Sequence, residues 1–491
     1  MMISHSVPNV VREVDFLFEY EVKNRELDQL CLLAAYLERK GYTVAFVNSW
    51  DALFHKPTPY KAKVLGISAC YNDEVYNYFC SHAVQFDKVV NFQWEQLRIN
   101  RVYDGTDALW VHSGAALKTR HICWGEKQIE HLSKQMKISR DYLFDCGYLT
   151  LDFYRDKVKE LLPTRRELFE RHGLDARKKT VLFVSSFALV GLPESEEANT
   201  YQRKETRDFV YETAETSQRM ILEWLERLSL ENPDLQVIYR PHPAEAENPL
   251  VTGISERTGN FFVIGDESIK NWINTCDILY NWQSTSMIEM YASGKPTFLL
   301  RPVHIPTEYD LPYYIEGRYS EINNYELLAQ SVQADAESRY FPVPEEDLLS
   351  IYSITEEPAY QRTGDLLIQT LHDHHYHSRP VKTTIFDEAN GEHDNDNAAV
   401  RIKRAVRNNH LFQCACHFLA PRLGISPVAY KIKRIDRELT DKAAQKQSAF
   451  KLEMESNEYH KQKMLQNQAS YEEIRKRIEE YRNVLNEGFG R

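Results

Sequence analysis

A chain of 491 residues with a net charge of −12 is too long for one hydrophobic core and carries no overall positive field. Its length calls for about two to four domains. Its charge excludes general nucleic-acid binding, which works by releasing phosphate counterions to clustered Lys and Arg.

The first third alternates strand and helix signals. Residues 15–20 predict a strand, 27–39 a helix with apolar residues at helical spacing, and 43–47 a second strand. That is a βαβ unit, the building block of a parallel sheet. Further strands are expected at 64–68, 88–92, 108–111 and 142–145, with a helix over 124–136. A charged helical stretch, 151–174, leads to a second series. Its strands are expected at 180–185, 235–239, 261–264, 278–280 and 297–300, and its helices at 209–230, 269–274 and 287–292. Two such series predict an α/β fold of two Rossmann-like, doubly wound domains facing a cleft. The first is expected over residues 1–160 and the second over 176–345.

Beyond them the pattern changes. A helical and linker region is expected over 346–428, with a polar linker at Gly391 to Asn397, and a long helix or coiled coil over 429–491. Tyr471, Ile474, Ile478, Tyr481 and Leu485 follow a coiled-coil seam, and Ile432, Ile435 and Leu439 begin another. Such a seam serves either a homo-oligomer or a fold-back within the chain. The basic stretch 401–434 suits either peripheral contact with an anionic membrane face or packing as a helical subdomain.

No N-terminal stretch reads as a secretory leader, and no apolar run approaches the roughly 20 residues that span a bilayer. The expected setting is the cytoplasm, and eight scattered cysteines fit reduced thiols there. Cys414-x-Cys416 with His417, the histidines 372, 374, 375 and 377, and Asp394-x-Asp396 lack companion ligands at metal-site spacing. No metal and no cofactor are expected.

The residues that carry chemistry sit at predicted strand ends. Strand 235–239 runs into Arg240-Pro241-His242-Pro243, a cation and an imidazole fixed between prolines at the edge where open parallel sheets bind ligands. Strand 278–280 leads to Ser284-Thr285-Ser286, hydroxyls at a helix start suited to an anion, and that helix closes on Gly294-Lys295-Pro296. Together the loops point to a nucleotide phosphate. In the first half, the turn Glu21-Val22-Lys23-Asn24-Arg25-Glu26 crowds charge at a strand end. Lys23 and Arg25 are candidate contacts for an anionic sugar or phosphate, and Asn24 is a candidate helix cap. Glu26 and Glu95 are candidate bases, and Glu95, beside Trp94 at the end of strand 88–92, is the stronger.

These motifs resemble those of bacterial surface carbohydrate biosynthesis proteins. The second half, RPHP followed by an STS-started helix ending in GKP, is similar to the nucleotide-binding half of CDP-glycerol glycerophosphotransferases and of Kdo-type capsule or lipopolysaccharide transferases. The first half adds Glu21 to Asp28, Trp94-Glu95-Gln96, Trp124-Gly125-Glu126 and a Gly147-x-x-x-x-Asp152 turn. This last turn lacks the Asn-Pro or Thr-Gly pair usual there. The resemblance, spanning roughly residues 14–310, implies a GT-B glycosyltransferase that takes a nucleotide-sugar donor and a glycan or lipid-linked acceptor. It implies nucleotide and phosphate contacts for Arg240, His242, Ser284, Thr285 and Ser286. A CDP-polyol phosphotransferase, a nucleotide-sugar 2-epimerase-like isomerase and a non-catalytic assembly protein are the alternatives.

Overall fold

A computed structural model describes residues 11–49, 58–80, 83–96, 112, 114–134, 136–188, 190–191, 204–243, 245, 247–306, 321–334, 351–378 and 465–488. The expected strand 108–111, the polar linker, the basic stretch, Cys414, Cys416 and the upstream seam lie outside the described residues.

Two six-stranded sheets form two lobes. The first holds β1 (Arg12–Tyr20), β2 (Val44–Asn48), β3 (Thr58–Ile67), β4 (Ala83–Asn91), β5 (Arg120–Cys123) and β6 (Leu143–Asp145), in the spatial order β2-β1-β3-β4-β5-β6. The second holds β7 (Thr180–Val184), β8 (Gln236–Arg240), β9 (Phe261–Val263), β10 (Ile278–Asn281), β11 (Thr297–Leu300) and β12 (Glu321–Ile322), in the order β12-β11-β10-β7-β8-β9. Each paired strand is parallel to its neighbour. The two-lobed α/β architecture expected from the strand and helix spacing is therefore present.

Parallel sheets need both faces covered, and the sequence supplies continuous apolar runs for it. Phe16, Leu17 and Phe18 of β1 are all fully buried, as are Val181, Leu182 and Phe183 of β7. The first sheet is covered by α1 (Asp28–Arg39), and the second by the long α2 (Lys204–Glu231). Two shorter helices of the second lobe, α3 (Ile269–Thr275) and α4 (Met287–Ala292), flank β10.

The chain then returns to the first lobe. Helix α5 (Ala359–His372) places Tyr360, Leu366 and Leu367 in the first-lobe core. It lies close to α1 because Gly364 leaves no Cβ where the Tyr36 ring sits. Asp152 accepts the first amides of α5, from Ala359 at 3.0 Å and Tyr360 at 2.8 Å, and so caps it. The Gly147-x-x-x-x-Asp152 turn is thus an anchor for this helix. Gly147 itself has φ +78°, and a Cβ there would run into the Arg362 guanidinium.

The terminal helix α6 (Tyr471–Gly488) folds back on the same lobe. Ile474, Ile478, Tyr481 and Leu485 of the expected seam join the core beside α1, while Tyr471 stays 69% exposed. Ile474, Ile478, Tyr481 and Leu485 thus pack against α1 of their own chain.

Candidate functional site

In a doubly wound sheet, ligands collect beyond the strand C-termini, where the strand order reverses. In the first lobe that point falls between β1 and β3. In the second it falls between β7 and β10. Both points carry motif residues.

The turn after β1 is a π-helical loop, Lys23–Leu27, inserted between the strand and α1. Such widened turns cluster at functional sites. Glu26 builds it. Its fully buried carboxylate accepts the amides of Glu21 (2.6 Å) and Val22 (3.3 Å) and both Nε and Nη2 of Arg25 (2.9 and 2.6 Å). Arg25 then reaches past the end of β3, and its Nη1 meets Glu95 Oε1 at 3.0 Å. Burial works against the guanidinium's charge, but Glu26 and Glu95 hold its pKa above the ordinary value. Asn24 does not cap the helix, contrary to expectation; its carbonyl accepts the Ser268 hydroxyl of the second lobe at 3.1 Å.

Glu95 projects from a braced loop. Gln93 sits in the left-handed region, at φ +50°, and its amide donates to the Tyr71 hydroxyl and to the Glu95 carbonyl. Gln96 is buried, donating to the carbonyls of Phe92, Gln93 and Ile122 and accepting from Trp124 N. Trp94 stacks flat on Phe92, with ring centroids 5.1 Å apart. The Glu95 side chain is 41% exposed. A left-handed residue and two bonded glutamines holding one half-open carboxylate make a positioning device.

Glu21 is the group that the sequence reading passed over. It is half-buried at the end of β1, and burial, followed by repulsion from Glu26, raises its pKa to about 7. Only the crowding of charges in the turn signalled it. Lys23 is placed differently from expectation. Its Nζ is 2.8 Å from Glu473 of α6, so its charge is spent on the terminal helix.

In the second lobe the two loops flank the end of β7. Glu245 organises the first, accepting the Ser185 hydroxyl, the Tyr239 hydroxyl, Gln218 Nε2 and the His242 amide. The His242 side chain is left exposed. Arg240 turns away instead. It is 8% exposed and donates to the carbonyls of Asp266 (2.7 Å) and Glu267 (2.6 Å), and burial lowers its pKa to about 10. Its place is to brace the loop ahead of α3.

The loop after β10 meets the end of β7, where Gln283 N donates to Ser186 Oγ at 3.2 Å. Ser284 and Ser286 share a hydroxyl bond of 2.7 Å, and Ser284 Oγ accepts the Ser286 amide at 3.3 Å. Neither hydroxyl caps α4, and Thr285 is exposed. Lys295, at the other end of α4, donates to the carbonyls of Asn274 and Cys276 and so ties helix ends together. A cavity of about 500 Å³ lies on that far side, lined by Tyr148, Tyr154, Tyr291, Lys295 and Tyr352 among others. Lys23, Arg25, Glu26, Glu95, Arg240, His242, Ser284, Thr285 and Ser286 do not line it.

The lobes meet through buried charge. Lys270 of α3 is 3.1 Å from Asp28, which also takes Arg477 and the Tyr481 hydroxyl of α6. Glu289 of α4, 5% exposed, accepts the Tyr154 hydroxyl at 3.1 Å. Burial raises its pKa to about 7, with Lys270 acting the other way. A carboxyl whose folded pKa exceeds its unfolded value stabilises the fold below the unfolded pKa and loses that contribution as pH rises. Here the loss falls between about pH 4.3 and 7. Glu289→Gln is therefore expected to be more stable than the parent by about 1–3 kcal/mol at pH 8 and to match it near pH 4, as thermal melts at both values would show.

No protein-family model matches this sequence, and no curated protein does. Among solved structures, a variant of the wall teichoic acid polymerase TagF soaked with CDPG is similar at TM-score 0.47 and 12% identity, over 75% of this chain and 91% of that one. A putative UDP-N-acetylglucosamine 2-epimerase from Listeria monocytogenes gives 0.44 and 12%, over 73% and 96%. The S. aureus MnaA–UDP structure gives 0.43 and 14%, over 73% and 97%.

Proposed function

We propose that this chain is a glycosyltransferase, with a nucleotide-activated sugar on the second lobe and an acceptor hydroxyl, from a surface glycan or a lipid-linked saccharide, on the first. The observation that carries the reading is the pairing of the two reversal points. The second-lobe point bears the Ser284–Ser286 hydroxyls after β10, with exposed His242 at the end of β8 across β7. The first-lobe point bears Arg25, which pairs with Glu95 after β4.

The chemistry assigns a role to each. Glu95 takes the proton of the acceptor hydroxyl, and the oxygen attacks the sugar's anomeric carbon. The bond from that carbon to the phosphate oxygen breaks, and its electron pair leaves with the nucleotide. His242, Thr285 and the neighbouring serines bond the departing phosphate. Arg25 orients Glu95 and offers a cation to an anionic sugar. Glu26, with both oxygens occupied, acts as the buttress of the turn, and Arg240 supports the loops from behind. The sequence motifs that resemble those of surface-polymer transferases favour this reading, and the reading requires no metal.

A melting screen against CMP, CDP, UDP and GDP tests it. One nucleotide is expected to raise the melting temperature by mass action. His242→Ala is expected to weaken that nucleotide by about 10- to 100-fold, the worth of a charge-assisted bond to phosphate. If no nucleotide binds, or if His242→Ala binds it equally well, the donor site is misassigned. Turnover of the donor without acceptor at enzymatic rates points to an isomerase instead.

A further inference from the structure

The loop ahead of α6 lies on the ligand edge of the first sheet. Asn48, the last residue of β2, donates from Nδ2 to the Asn467 carbonyl at 3.2 Å, and the Ala469 amide donates to the hydroxyl of Tyr20, the last residue of β1, at 3.2 Å. Asn467 Oδ1 also accepts the Lys23 amide at 3.0 Å. One turn into α6, Glu473 pairs with Lys23 Nζ at 2.8 Å and is itself held by Arg477 Nη2 at 2.8 Å. Lys23 opens the π-helical turn that carries Arg25 to Glu95. The turn is therefore fixed by Glu26 from within and by the far end of the chain from without.

We propose that Asn467 and Glu473 are positioning residues, and that the segment from Asn467 into α6 is a strap that sets the turn bearing Arg25. The inference rests on the reading of that turn as the acceptor side of the site. The physical need is clear. Lys23 starts a turn whose backbone geometry is uncommon, so its amide and its half-buried ammonium both need partners. The strap provides one for each. It also occupies the ends of β1 and β2, so an acceptor approaches over the β3–β4 side, where Glu95 stands. The strap is tied to the second lobe as well, because Arg477 shares Asp28 with Lys270. Displacing the strap would reach the turn and the interlobe contact together.

Hydrogen–deuterium exchange on the full chain tests this without any donor, so its outcome is independent of whether a nucleotide binds. In Asn467→Ala, Glu473→Gln and the double variant, amides of residues 21–27 are expected to exchange faster, by about tenfold in the double variant, while strands β7 and β8 keep parental protection. Glu473→Asp, which keeps the charge, is expected to restore most of the protection. Glu473→Gln alone carries the test if the double variant does not fold. Unchanged exchange in 21–27 overturns the proposal, and so does an equal rise in both lobes, which would mark general destabilisation. If exchange responds as expected but no nucleotide binds, the strap stands and the transferase reading falls.

Discussion

Replacing Lys270 by methionine is expected to destabilise the chain by up to about 3 kcal/mol, the cost of taking one of two cations from a buried carboxylate. Lys270 is only 1% exposed, and its ammonium sits 3.1 Å from Asp28 and 4.9 Å from the centre of the Phe153 ring. Burial alone would push the Asp28 carboxyl up, but Lys270 first and Arg477 second pull it below its usual value. Methionine fills the space and removes the charge, so Asp28 keeps only Arg477 and Tyr481. The sign of the pH dependence follows. A depressed carboxyl contributes stability above its unfolded pKa of about 3.9 and loses it as pH falls through the lower folded value. In the Lys270→Met chain that acid loss is expected to shrink, because less of the depression remains. Adding Asp28→Asn should recover part of the stability at pH 7, since the buried carboxylate that lost one of its two cations goes with it. Denaturant midpoints of the three variants, compared at pH 7 and pH 3, check both statements.

How much of this was legible beforehand depended on where each residue's partner lies. Continuous apolar runs such as Phe16 to Phe18 or Val181 to Phe183 announce buried parallel strands, and the two-lobed fold followed from them. Strand β5, with the sequence RHIC, was not legible. Its Arg120 is buried because Thr370, Asp373 and Tyr376 bond it, and its His121 because Asn91 does. A linear pattern reads Arg and His as solvent-facing and cannot see partners some 250 positions away. The same limit governed the site. Strand-end position identified Glu95, His242 and the serine loop as residues on the ligand edges of the two sheets. It could not show that Lys23 is spent on Glu473 or Arg240 on two carbonyls, since in the sequence all these cations look equally available. Glu95 ranked above Glu26 only through its place beside Trp94 at a strand end. Four hydrogen bonds to Glu26 and a half-open side chain on Glu95 tell them apart.

Glu95→Gln is expected to lower transfer by about 10²- to 10⁴-fold, the usual worth of a general base, while nucleotide affinity stays at the parental value. The substitution is nearly isosteric, and the Gln93 and Gln96 bonds that shape the loop run to backbone atoms. A loss therefore reports the carboxylate rather than a collapsed loop. The rival is Glu21, whose pKa of about 7 is well matched to proton transfer near neutrality. The two are separable by their pH profiles. If Glu95 is the base, Glu21→Gln costs less than Glu95→Gln, because it removes a neighbouring charge and not the acceptor of the proton. If Glu21 is the base, activity in the parent rises through about pH 7, and Glu21→Gln abolishes both that rise and the bulk of the rate. Arg25→Met serves as the control. It takes away one cation that holds the Glu21 pKa down, so it shifts the pH profile upward if Glu21 accepts the proton. Glu26→Gln should instead register first as a loosened turn, with faster exchange in residues 21–27, because its oxygens hold backbone amides and Arg25 together. A variant that changes rate through the turn and one that changes it through the proton are thus told apart by exchange and pH together, using the donor whose nucleotide the melting screen identifies.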